Sequence, residues 1–229
     1  MAAAEPAPPS ASALKLVVAA ERLFALRGIE GVSLRQIAAE AGSANNSAVH
    51  YYFGSKVGLI TAIFQHRLPQ IISERRLLVA QCDRSDLRSR LEAQFLPVFA
   101  MADAADNHYI SFVEQLQRHE RGRTDDLREL PSVGQDSNDE FRSDLHLILG
   151  DLPEPYRILR IEQAQAFCVH AAADREHTVI SGRPSIPFDL FVNSMFDGIT
   201  GFLSAPESEV TRRKVGRVGD PQPPELRLL

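Results

Sequence analysis

Phe188, Phe191, Val192, Met195, Phe196, Ile199, Phe202 and Leu203 recur at i, i+3, i+4, i+7, i+8, i+11, i+14 and i+15, the spacing of one apolar face wound on an α-helix. A stripe that wide demands a large apolar partner. Helical spacing also runs through 87–101, 107–120, 124–149 and 154–174, and no stretch sustains the period-two alternation of a half-buried strand. The chain is therefore expected to be all-α, with the partner supplied by other helices.

Boundaries are marked most clearly in the first third. ALKLVVAAERLFALR, over 13–27, places Leu16, Ala20, Leu23 and Phe24 on one helical face, and Gly28 closes it. Ser33 is followed three residues later by Gln36, a capping-box pair. Leu34, Ile37, Ala38 and Ala41 then give the apolar face of a helix of about two turns, and Gly42 suits the left-handed backbone that ends one. A short third helix is expected over about 46–52. Ser55 is a good N-cap for a fourth, running from Lys56 past Pro69 to Cys82. Proline removes a hydrogen bond and clashes with the preceding turn, which predicts a kink at Pro69.

With 44% hydrophobic residues in 229, the chain has enough apolar mass for a sizeable core, which excludes disorder of the whole. The opening MAAAEPAPPSAS has no basic segment followed by an apolar one, so no secretory signal is expected. No run approaches the roughly 18 to 20 apolar residues of a membrane span, and the expected location is cytoplasmic, with no membrane partner. Cys82 and Cys168 belong to no C-x-x-C pair and read as reduced and buried. The formal net charge of −5 argues against a nucleic-acid partner, but it is unevenly spread. Ser10 to Leu68 holds six basic residues (Lys15, Arg22, Arg27, Arg35, Lys56, Arg67) against three acidic ones (Glu21, Glu30, Glu40), a balance of +3 that leaves −8 for the remainder.

Within the positive part lies GSANNSAVHYYFGSK, over 42–56, a density of polar and aromatic groups that apolar burial does not call for. A two-turn helix, a turn of small residues and a second short helix make the helix-turn-helix layout. Ala38, Ala41 and Gly42 are small where the helices approach, and Val49 supplies the apolar contact. The start of the second helix can then enter the major groove, which is wide enough to accept it. Asn45 and Asn46 can donate and accept together, as adenine recognition needs, while Ser47, His50, Tyr51 and Tyr52 can bond phosphates or base edges. Helix N-termini at Ser33 and Ser55 offer backbone N–H groups to phosphates, with Arg35 and Lys56 adding charge. The organisation read from this is a flexible tail over 1–12, a DNA-binding domain over 13–55, a larger helical domain over 56–205, and a mobile Pro-rich and charged tail over 206–229.

VVAAERLFALRGIEGVSLRQIAAEAG and SAVHYYFGSKVGLI resemble the TetR family of bacterial transcriptional regulators. Ser33, Ile37, Ala38, Ala41, Gly42, Phe53, Ser55 and Lys56 match that family's pattern in order and spacing, over about residues 14 to 64. One extra residue lies between Gly42 and Phe53, and His50, followed by Tyr51, stands where the family has a phosphate-contacting tyrosine; the NNSAV wording resembles a longer-turn subgroup. The resemblance implies a homodimer, more often a repressor, that reads a palindromic double-stranded DNA operator and is released by a small-molecule effector, with no enzymatic activity and no cofactor. It also implies a seam formed by the last two long helices, where Ala164, Phe167, Ala171, Phe191, Met195, Gly198 and Phe202 are the candidates. For the effector pocket the candidates are Phe95, Phe99, Phe112, Leu116 and Phe141, with an apolar ligand as the default.

Other readings compete. Paired asparagines are common as caps, Tyr51 to Phe53 can serve as core, and Arg212, Arg213, Lys214 and Arg217 can be a solvated charge run. His170, Asp174 and His177 share a helical face and can in principle ligate a metal, the one feature behind an alternative function as a helical small-molecule or metal-binding protein without operator binding. His50, His66, His108, His119 and His146 are isolated in the sequence. No H-E-x-x-H, G-x-S-x-G, Walker-type or dinucleotide-binding motif is present.

Overall fold

The structure, a computed structural model, describes residues 10–45, 47–120 and 135–215. Its elements are α1 (Ala11–Arg27), α2 (Leu34–Glu40), α3 (Ala48–Phe53), α4 (Lys56–Val79), α5 (Leu87–Ala102), α6 (Tyr109–Glu120), α7 (Gln135–Ile148), α8 (Glu154–Ile180), α9 (Phe188–Ser204) and α10 (Glu209–Val215). No strand occurs among the described residues, and the all-α expectation holds. Of the expected tails, 1–9 and 216–229 lie outside the described residues, as do Arg217, Asn46 and 124–134 of the expected helix over 124–149. α10 occupies the start of the expected C-terminal tail, and none of its residues is buried.

Helix starts follow the capping chemistry. Ser33 Oγ accepts from Gln36 N and the Gln36 side chain accepts from Ser33 N at 2.8 Å, the reciprocal box that the spacing implies. Ser55 Oγ accepts from Gly58 N at 3.0 Å. α4 continues through Pro69 to Val79. α8 runs beyond the expected end at Asp174 to Ile180, and Arg175 and Glu176 in that extension are both buried.

α1, α2 and α3 close on a small core of Leu16, Ala20, Phe24, Ile37, Ala38 and Val49, completed by Leu59, Ile60 and Ile63 from the first turns of α4. α1 also packs against α6, and Phe112 takes both Phe24 and Phe64 as ring neighbours at 6.1 and 5.6 Å. In the larger domain α5 is enclosed by α4, α8 and α9, with Phe99 against Phe191 at 5.4 Å and Phe196 at 5.6 Å.

Where the two domains meet, the N-terminus of α6 is held by two carboxylates. Glu21, buried on α1, receives Arg67 of α4 through Nε and Nη2 at 2.7 and 2.8 Å, and accepts from His108 N at 3.3 Å. Glu176, buried on α8, accepts from Ile110 N at 3.0 Å and Ser111 N at 2.8 Å. Orphan N–H groups at a helix start are thereby satisfied by acids, which the helix dipole also favours.

Burial pushes the Glu176 carboxyl up to about 7, assisted by the nearby Glu21 charge and opposed by the bonds from Ser111 and Ile110. The folded chain holds this proton up to about pH 7, whereas the unfolded chain loses it near the ordinary value of 4.5. Between those limits the folded state binds more protons, so stability falls as pH rises from about 4.5 to about 7. Chemical denaturation across that range is expected to show this slope, up to about 1.4 kcal/mol per pH unit, and Glu176→Gln is expected to flatten it. An unchanged slope in the variant would show that Glu176 does not carry it; His66 and His108, both lowered by burial, act in the opposite direction, with stability rising as pH rises.

Candidate nucleic-acid interface

α2 ends in a tight reversal. Gly42 takes a φ of 69°, which lets Gly42 N donate to Ala39 O at 3.0 Å and Ser43 N to Ala38 O at 2.9 Å. This paired capping satisfies the last carbonyls of α2 and turns the chain towards α3. α3 then seats itself with Ala48 and Val49 buried and Phe53 packed partly against the core. Asn45, Ser47, His50, Tyr51 and Tyr52 are left exposed. A helix of this length has little intrinsic stability, so the buried pair fixes which face it presents.

The candidate DNA contacts divide by what already occupies them. Asn45 Oδ1 accepts from Ser47 N at 2.9 Å, closing a local turn before α3, so the capping reading holds for its oxygen while its NH₂ donors remain. His50 Nδ1 donates to Gly54 O at 3.0 Å, which leaves Nε2 as the group offered outward. Tyr51, 80% exposed, lies edge-on to Tyr52 with ring centroids 4.9 Å apart. Each ring thus limits the motion of the other, and both residues are exposed.

Ser33 and Ser55 both act as N-caps, and Arg35 is exposed in the first turn of α2. Lys56, expected to add charge at the Ser55 helix start, also makes a bond within the domain. Its Nζ donates to Ile29 O at 2.8 Å and stands 6.0 Å above the Phe24 ring. The ammonium therefore ties the start of α4 to the loop between α1 and α2, with further N–H groups left for a phosphate.

Two internal pairs take up two of the six cations and two of the three carboxylates, which leaves the local balance at +3. Arg22 bonds Glu40, and Arg67 is committed to Glu21. Lys15, Arg27 and Arg35 remain exposed beside the three-helix unit. Arg27, at the end of α1, is a cation that the motif alone did not single out; a basic residue directly before Gly28 was the available signal.

The remaining candidates are split by the structure. Phe95, Phe99 and Phe141 come together, with centroids 6.3 Å apart for Phe95–Phe99 and 5.6 Å for Phe95–Phe141. Phe112 instead joins Phe24, Phe64 and Tyr109 at the junction with α1, and Leu116 is buried one turn further along α6. Among the proposed seam residues, Ala164 and Met195 lie in the chain's own core, and Phe191 turns inward onto Phe99. Phe167, Gly198 and Phe202 are exposed, Ala171 is half-buried, and Leu159 and Leu190 add exposed apolar surface on α8 and α9.

His170, Asp174 and His177 do not assemble into a metal-ligating group, and no group of three or more such side chains occurs among the described residues. His170 Nδ1 lies 2.6 Å from Glu114 Oε1 on α6. No helix among the described residues is long and apolar enough to cross a membrane.

Residues 16–63 match the family model described as bacterial regulatory proteins, tetR family. A comparison with curated proteins finds no match. Among solved structures the chain is similar to the probable transcriptional regulatory protein RHA5900, with 21% identity, a TM-score of 0.56, and 85% of this chain and 100% of that one covered. It is also similar to the fatty acid degradation regulator FadR from Bacillus halodurans, at 15% identity and a TM-score of 0.55, covering 87% of this chain and 100% of that one. A third likeness is to the ketosteroid transcriptional regulator KstR2 of Mycobacterium tuberculosis, at 18% identity and a TM-score of 0.52, covering 83% of this chain and 96% of that one. At such identities these likenesses carry the fold alone.

Proposed function

We propose that the chain, whose residues 16–63 match the model of the tetR family of bacterial regulatory proteins, is a TetR-type repressor that binds a palindromic operator as a homodimer and is released by a small-molecule effector. The observation that carries this reading is the presentation of α3. Two buried residues, Ala48 and Val49, clamp it, while its polar and aromatic side chains stand clear of the core. The exposed parts of α8 and α9, with Phe167, Gly198 and Phe202, supply the seam between copies. Pro69, inside the helix that joins the head to the larger domain, is the pivot.

Phosphate contacts come from helix starts and cations, which carry no sequence information, and base contacts from the turn and the start of α3. His50 and Tyr51 share the phosphate-contacting role. In this scheme Lys56 affects all DNA sequences alike, whereas Asn46 sets sequence preference. In the metal-binding alternative His170 would have to leave its pairing with Glu114, and a metal titration of the wild type and of His170→Ala separates the two readings.

Measuring affinity for DNA against salt tests the reading. Each phosphate neutralised contributes roughly −0.9 to the slope of log K on log salt, so affinity is expected to fall steeply despite the acidic total charge. Tyr51→Phe, which removes one exposed hydroxyl, is expected to weaken binding about tenfold, the worth of a hydrogen bond to a charged group, at unchanged thermal stability. A slope near zero, or a Tyr51→Phe protein with full affinity, would count against these contacts.

A further inference from the structure

Buried between α4, α5, α6 and α7 is a polar cluster that the proposed DNA-binding role leaves unused. Arg75, on α4, is 1% exposed. Its Nε donates to Gln94 O at 2.9 Å and its Nη1 to Asn138 Oδ1 at 3.4 Å, both neutral acceptors, and its Nη2 has no hydrogen-bond partner among the described residues. Arg90, on α5, donates through Nε to Asp144 Oδ2 at 2.7 Å, while its Nη1 has no such partner. Asp144 is shared with Arg84, which takes both of its oxygens. Gln94 Oε1 and Tyr109 Oη are likewise buried without a partner.

Charge and donor counting point the same way. Arg75 and Arg90 bring two buried cations, and the one carboxylate among the groups bonded to them is Asp144, part of whose charge Arg84 uses. Burial, together with the Arg90 charge, pulls Arg75 down to about 10, so it remains charged at neutral pH. A buried cation without a counter-ion is costly, as is each buried donor left unbonded. Next to it the surroundings are apolar, since Arg90 stacks 5.0 Å over the Phe141 ring, which in turn meets Phe95.

We propose that Arg75, Arg90 and Tyr109 form the anion-binding end of the effector site, and that the effector is an apolar monocarboxylate whose body lies against Phe95 and Phe141. Arg75 Nη2 and Arg90 Nη1 would bond the carboxylate oxygens, and Tyr109 would add a third donor. A single negative charge balances the excess, whereas a phosphate dianion would replace a surplus of one sign by the other. The assignment rests on the reading of the chain as ligand-responsive. It also gives that reading a route, because Arg75 is on the helix that begins behind α3, and Tyr109 opens the helix whose N-terminus holds Glu21 of α1.

The test is thermal unfolding and titration calorimetry of the full chain, without DNA, against benzoate, phenylacetate and octanoate, each paired with its amide, and against inorganic phosphate. At least one acid is expected to raise Tm by several degrees and to bind at least tenfold more tightly than its amide, with no comparable effect of phosphate. Arg75→Met and Arg90→Met are expected to erase the preference for the acid. Arg75→Met should also match or exceed the wild-type Tm without ligand, since an uncompensated buried charge is replaced by an apolar side chain of similar length; a purely structural Arg75 would give a clear loss. Should Arg75→Met fail to fold, Arg90→Met and Tyr109→Phe carry the same comparison. Equal binding of acids and amides, tighter binding of phosphate, or a preference surviving these substitutions would overturn the proposal. The same compounds are then added to the chain bound to DNA: acid binding that leaves DNA bound would keep the anion site and remove the ligand-responsive reading, while release of DNA by neutral compounds alone would do the reverse.

Discussion

Glu21→Ala is expected to lower Tm by about 10 °C. Breaking a buried ion pair from one side typically costs roughly 3–5 kcal/mol, because the partner is left charged and unpaired, and a protein of this size loses roughly 2–4 °C per kcal/mol. Arg67 would lose both of its short bonds and His108 N its acceptor, so three helices are released by one substitution. A second copy of the effect should appear in DNA binding, since α1 would no longer be tied to α4 and α6. Combining Glu21→Met with Arg67→Met should recover most of the stability, because no buried charge is then left alone. Thermal unfolding of the single and double variants checks this, and a single variant within about 2 °C of wild type would show that the junction does not depend on the pair.

Gly58→Ala is the second large effect, and it should fall on DNA binding more than on stability. A Cβ at Gly58 would stand 2.1 Å from Phe53 O, an overlap with backbone that no side-chain rotation relieves. Either the end of α3 or the first turn of α4 must move, and such overpacking costs about 1–3 kcal/mol. The displaced element is the one that presents His50, Tyr51 and Tyr52, so specific affinity is expected to fall about 100-fold, since each 1.4 kcal/mol is tenfold and at least two contacts are lost together. Gly182→Ala, after α8 and away from α3, is the control. Its φ of 63° strains an alanine, at a cost of about 1–2 kcal/mol, but nothing lies within 4 Å of the added atom. Equal loss of affinity in both variants would mean that general destabilisation, not the placement of α3, is responsible.

Glu21 and Gly58 are not among the residues that matched the sequence motif, which marks the boundary of what was legible. Capping signals are local, and they located α2 and α4 from Ser33, Gln36, Gly42 and Ser55 because the bonds they announce span only three to five residues. The apolar spacing of Phe188 to Leu203 likewise gave α9, although Leu190 and Phe202 prove exposed while Met195 and Phe196 face inward. A periodic stripe shows that one face is apolar, not which copy of the chain covers it.

Charged residues were the harder class. Glu21, Arg75, Arg90 and Glu176 each sit in a helix where a charge ordinarily marks the solvent face, yet all four are buried. Their partners are remote in sequence: His108 is 87 residues from Glu21, and Ile110 is 66 from Glu176. Burial of this kind is decided by how helices pack. One clue was present, however, because Glu21 falls four residues after Val17 and three before Phe24, on the apolar side of its helix. Lys56, a motif lysine read as a phosphate contact, also carries a bond that the motif does not announce, from its ammonium to the carbonyl of Ile29.

Selection of bound sequences from a random pool of double-stranded DNA is the most direct measurement. It would use the full chain, stripped of bound small molecules and shown to be folded, at near-physiological salt. A two-fold symmetric motif, with half-sites spaced for two α3 helices in successive major grooves on one face of the duplex, is the expected result. Recovery of random sequences, or of a motif without two-fold symmetry, would contradict the account of the chain as a dimeric operator-binding regulator.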